Sequence, residues 1–118
     1  MSTEKIDLTY LNSVSGGDNG FVLHMLDLFL SSVPPEALVL EKAINENDMY
    51  AVGRSAHRMK ATIQMIGEQE LAGVVMRIEK IGKTGEGAGE LTPLFESLKH
   101  LLQIAVAKVE FTKQDFIA

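Results

Sequence analysis

Three polar side chains in the segment Ser55-Ala56-His57-Arg58-Met59-Lys60-Ala61-Thr62-Ile63-Gln64-Met65-Ile66-Gly67 are spaced for chemistry on a helix surface. Val52, Ala56, Met59, Ile63 and Ile66 recur at intervals of three and four residues and form one apolar stripe. At about 100° per residue, His57 points roughly 140° away from the middle of that stripe, toward water. Lys60, Ala61 and Gln64 follow His57 at three, four and seven residues, on the same or a neighbouring surface. An unperturbed imidazole has a pKa of about 6.5, so it is mostly neutral, and therefore nucleophilic, at pH 7. A water-facing imidazole with a cation one turn away and a small residue beside it is an arrangement for reaction with a visiting partner.

The elements that must hold this group are helices. A short one is predicted from about Asp7 to Val14, with Leu8, Leu11 and Val14 inward, stopping at Ser15-Gly16-Gly17. Asp18 suits the N-cap of the next, which carries Phe21, Val22, Met25, Leu28 and Phe29 inward and ends near Ser31-Ser32. Pro34 and Pro35 suit a first turn rather than a helix interior, so a new helix is expected there, with Leu38, Leu40, Ala43 and Ile44 on its apolar side. The His57 helix runs from about Asp48 to Ile66, and Gly67 is its left-handed stop. Another helix from Glu68 to about Ile81 carries Leu71, Val74, Val75, Ile78 and Ile81. Gly73 inside it costs about 1 kcal/mol relative to Ala, for which close approach of a neighbouring helix would compensate. Gly82 to Gly89 reads as a flexible loop, without the Gly-Lys-Ser/Thr ending of a phosphate-binding loop. Thr92-Pro93 opens a last long helix with Leu94, Leu98, Leu101, Leu102, Ile104, Ala105 and Val109. No strand, repeat or linker is visible. Short loops between long amphipathic helices predict an all-α fold, an up-and-down antiparallel four-helix bundle with one or two additional short N-terminal helices.

Composition narrows the functions available. The 118 residues fit a single domain, 1–118, with no room for a nucleotide-binding catalytic domain beside it. A net charge of −5 and the lack of a basic run disfavour nucleic acid or an anionic membrane as partner. No cysteine is present, so no disulfide or thiolate metal site can form, which is compatible with the cytoplasm. The polar start Met1-Ser2-Thr3-Glu4-Lys5 lacks a signal-peptide apolar region, and each apolar stretch taken alone is short of a membrane span.

The segment Ala56-His57-Arg58-Met59-Lys60-Ala61 followed by Gly67 resembles the motif Ala-His-x-Leu-Lys-Gly…Gly of the histidine-containing phosphotransfer (HPt) domains of bacterial phosphorelays. The resemblance extends upstream through Leu11, Gly16 or Gly17, Asp18, Phe21 and Phe29, and downstream through Leu71 and Ile78-Glu79, in the helix that packs beside the histidine helix. Met59 stands where the family has Leu, a nearly volume-conserving change. Ala61 stands where Gly is frequent, adding one methyl beside the histidine. The resemblance implies that His57 takes a phosphoryl group from a receiver-domain aspartate, through Nε2, and passes it to a second receiver aspartate. It implies that Lys60 meets the phosphoryl oxygens, since positioning and charge stabilisation dominate such transfers. Gln64 is a candidate for an orienting hydrogen bond, and Arg54, Arg58, Ala61 and Met65 are candidates for the docking surface. No cofactor is expected on this chain. Mg²⁺ is expected in the partner receiver, because no carboxylate cluster is placed by the sequence to face His57. The implied partners are response-regulator receiver domains and a hybrid sensor kinase, met by a monomer.

Two readings from other classes stand beside this one. A di-iron bundle enzyme needs Glu-x-x-His pairs, and none of His24, His57 and His100 has a Glu three residues before it. A non-catalytic helical adaptor that docks receivers or other helices without transfer is the main competitor, against which the intact His57 and Lys60 argue.

Overall fold

The computed structural model describes residues 4–117, so Met1 to Thr3 of the polar start, and Ala118, lie outside the described residues. Among the described residues there are five α-helices, one 3₁₀ turn and no strand: α1 (Thr9–Ser15), α2 (Asn19–Asn45), α3 (Met49–Met65), α4 (Gln69–Thr84), the 3₁₀ turn Ala88–Glu90, and α5 (Leu91–Lys113). α2 packs on α3, α3 on α4, α4 on α5, and α5 returns to α2, so four helices close a ring around one core, with α1 laid against α2.

The helix boundaries follow from local chemistry. The Asp18 side chain accepts from the backbone N–H groups of Gly20 and Phe21, and Asp48 accepts from Ala51, so two of the longest helices begin on carboxylate caps. Gly67, at φ 77°, supplies the left-handed turn after α3 that the sequence predicts.

The largest departure is at Pro34-Pro35, where the expected break is absent and α2 runs unbroken for 27 residues. Two interior prolines remove backbone donors to the carbonyls one turn earlier, at a cost of about 3 kcal/mol or more. Burial offsets it. Val22, Leu26, Phe29, Val33, Ala37, Leu40 and Ala43 are all buried and keep a single three-four phase across the prolines. That phase also decides which apolar residues miss the core: Leu28 and Leu38, both expected inward, lie exposed off the stripe, as does Val14 on the short α1.

Joining the two stretches makes α2 long and apolar enough, by length and composition, to cross a bilayer, which the separate stretches were not. Its apolar stripe is spent on the protein core. α4 is also longer than expected. It continues through Gly82 to Thr84, and Gly85, at φ 74°, is its left-handed stop. α5 begins at Leu91, which still leaves Pro93 in the first turn.

Candidate functional site

The site lies on the α3–α4 seam. The stripe Val52, Ala56, Met59, Ile63 is buried as predicted, which turns His57 outward with 63 % of its side chain exposed. α4 contributes a residue that carried no role in the sequence reading. Glu79 projects from the core-facing side of α4, and only 7 % of its side chain is exposed. Its Oε2 lies 2.6 Å from Nδ1 of His57. Lys60 donates to Glu79 Oε1 at 2.8 Å, and Lys83, one turn along α4, lies 3.0 Å from Oε2. One carboxylate therefore gathers the imidazole and two ammonium groups.

The seam is fixed by close backbone approach. A Cβ built on Gly82 would lie 2.6 Å from Gly53 Cα and 3.0 Å from the Met49 carbonyl oxygen, so only glycine fits. The helix-to-helix contact expected at Gly73 is here instead; Gly73 is exposed, with nothing within 4 Å of a Cβ added to it. Locking α3 against α4 a turn from His57 and Glu79 sets the depth at which the carboxylate meets the ring.

The electrostatics follow. Burial, the largest single influence on Glu79, raises its pKa, but the hydrogen bonds from Lys60, Lys83 and His57 together outweigh it and bring the carboxyl down from 4.5 to about 2. At neutral pH the carboxylate has no proton to give, so Nδ1 of His57 must be the donor. That fixes the tautomer and leaves the Nε2 lone pair free.

Other expected residues fall on either side of His57. Ala61, Gln64 and Met65 line a groove of about 660 Å³ with Tyr10, Ala72 and Met76. The orienting hydrogen bond expected from Gln64 is made by Glu79; the Gln64 amide faces Met76 Sδ at 3.7 Å. Arg54 and Arg58 line a second groove of about 730 Å³ with Tyr50, His57 and Lys83. The Arg54 guanidinium lies 5.7 Å from the centre of the Tyr50 ring, and Arg58 reaches Glu36 Oε2 at 3.4 Å. The same Glu36 oxygen accepts from the buried Ser55 hydroxyl at 2.7 Å, which ties α2 to the floor of α3. Among the described residues no group of three or more His, Asp or Glu side chains is placed to hold a metal ion.

The sequence carried a signal for Glu79 in its phase. It falls four residues after Val75 and seven after Ala72, on the buried side of α4. A carboxylate there needs cationic or hydrogen-bonding partners, and His57 and Lys60 are those partners.

An exposed imidazole, fixed in tautomer by a carboxylate that also holds two ammonium groups, makes this helical scaffold a carrier of one outward nucleophile. The family model described as Hpt domain matches residues 24–109, and the chain belongs to that family. Membership carries involvement in phosphorelay histidine phosphotransfer, as a transfer module rather than a kinase, in systems whose receiver domains such modules meet. No curated protein and no solved structure gives a significant match.

Proposed function

We propose that this chain is a phosphorelay intermediate in which His57 accepts a phosphoryl group from a receiver phospho-aspartate and yields it to the aspartate of another receiver. The observation that carries the reading is the 2.6 Å contact between His57 Nδ1 and the ionised Glu79, on a side chain otherwise open to water. Nε2 attacks phosphorus, the Nε2–P bond forms as the P–O bond to aspartate breaks, and the receiver regains its carboxylate. The ring keeps its Nδ1 proton and becomes cationic, and Glu79 faces that charge. Transfer onward reverses these steps. Lys60 and Lys83, both held on the Glu79 carboxylate that also meets His57, would stabilise the charge on the transferring oxygens.

The surface around His57 supports docking in two parts. Ala61 and Met65, with Tyr10 and Met76, offer an adaptable apolar contact. Arg54 and Arg58, with Lys83, offer cations to the acidic rim of a receiver. Mg²⁺ belongs to the receiver in this reading, the chain binds no cofactor of its own, and the donor side includes a hybrid sensor kinase in the cytoplasm. The closed ring of helices fits an up-and-down antiparallel bundle that forms one domain, with neither nucleic acid nor membrane as its partner.

The test is to mix the chain with a phosphorylated receiver and magnesium and to measure phosphate on it. An acid-labile, alkali-stable label that vanishes in His57→Gln, with receiver binding retained, is the expected result. Binding without label across a panel of receivers would leave the adaptor reading in its place.

A further inference from the structure

The ring order of the helices puts the α2–α5 seam across the molecule from the α3–α4 seam that carries His57. A groove of about 520 Å³ lies along this rear seam, floored by Pro34, Ala37, Phe95, Leu102 and Val106. Leu38, on its α2 wall, is 68 % exposed, more than any other large hydrophobic residue of that helix. The groove carries one charge of each sign, Glu41 on the α2 wall and Lys99 on the α5 wall. Among the described residues Glu41 is in no ion pair, and Lys99 makes only a 3.5 Å contact with Glu96 of its own helix.

We infer that a second copy of this chain covers the groove, in a two-fold dimer whose axis runs along the α2–α5 seam. Rotation about that axis lays α2 of each copy over α5 of the other. Glu41 of each then faces Lys99 of its mate, twice, and each Leu38 enters the groove opposite. A two-fold contact needs its knob, its hole and both charges on one patch, because the same surface serves both partners, and this patch has all of them. The ion pairs are exposed and fix register rather than affinity. The apolar contact drives association. The arrangement departs from the monomer expected of a chain with a single reactive face, yet leaves both His57 faces open, pointing away from the interface.

Sedimentation equilibrium on the full chain, from micromolar to submillimolar concentration, tests this. A monomer–dimer equilibrium is expected, with Leu38→Asp monomeric throughout and its far-ultraviolet circular-dichroism spectrum unchanged. Glu41→Lys should weaken the dimer about tenfold by placing like charges opposite one another, and the double variant Glu41→Lys/Lys99→Glu should restore it. A wild-type chain that stays monomeric, a dimer that survives Leu38→Asp, or a double variant no tighter than the single one would overturn the inference. So would Leu38-dependent binding to phosphatidylcholine vesicles without self-association, which would assign the face to lipid. The inference is independent of phosphotransfer: His57→Gln should leave the dimer intact, and Leu38→Asp should still accept label from a receiver.

Discussion

The front and rear seams of the helix ring are built on opposite principles. At the front, α3 and α4 touch backbone to backbone through Gly53 and Gly82, and a buried carboxylate collects three cationic or hydrogen-bonding partners above the contact. At the rear, α2 and α5 meet through large side chains such as Phe95 and Leu102, which leave an open groove and, among the described residues, no buried charge. The front seam cannot slide without a backbone clash, whereas side-chain packing at the rear can adjust by rotamer. A transfer reaction depends on tenths of an ångström between nucleophile and phosphorus, and the nucleophile sits on the seam that has no slack.

The sharpest way to break this contrast is Gly82→Val. Overpacking a core usually costs about 1–3 kcal/mol, and here the obstructing atoms are backbone, so the loss should lie at or above the top of that range. A urea-unfolding free energy that falls by less than that would show the seam to be looser than its geometry implies.

Next in size is Glu79→Gln, which keeps the shape and removes the charge. An amide can accept from a protonated Nδ1 through its oxygen or donate to a bare Nδ1 through its nitrogen, so it no longer dictates the tautomer. Phosphate acceptance by His57 should fall by at least about tenfold, as when a carboxylate that orients a reactive imidazole is made neutral. The same variant should alter acid stability. The Glu79 carboxyl titrates at 4.5 ordinarily and at about 2 in the fold. Its stabilising contribution is therefore complete above pH 4.5 and fades as the pH falls toward 2. Urea unfolding at pH 5 and pH 3 should show a smaller loss between the two in Glu79→Gln than in the wild type; equal losses would contradict the assignment.

The smallest effect has the opposite sign. Gly73 is on the same helix as Gly82 but faces outward, with nothing within 4 Å of an added Cβ. Gly73→Ala should raise stability by up to about 1 kcal/mol through helix propensity alone. A thermal melt that falls instead would mean that Gly73 has a contact the fold does not reveal.

Much of this site was legible before any fold was known. The spacing of Val52, Ala56, Met59 and Ile63 placed His57 and Lys60 outward, because helix phase is a local property. The α2 stripe was equally legible in phase, yet the two prolines predict a break, because their cost is local whereas the burial that outweighs it comes from the other helices. Gly73 and Gly82 could not be told apart on one chain, since a glycine's partner lies on another helix. Glu79 was visible as a carboxylate in phase with apolar residues, on a helix that the resemblance sets beside the histidine helix, but its contact with His57 was not.

The sequence by itself determined the helical character of the chain, the outward nucleophile and the nearby cation, since each rests on contacts within a few residues. The tertiary structure decided which carboxylate orients the imidazole, that Lys60 reaches the same carboxylate, and which glycine brings α3 against α4. Those depend on contacts across 19 residues or more of chain, such as the 22 that separate His57 from Glu79, whereas Lys83 meets Glu79 one turn along its own helix. Such contacts are set by how the helices pack, which periodicity within one helix does not specify.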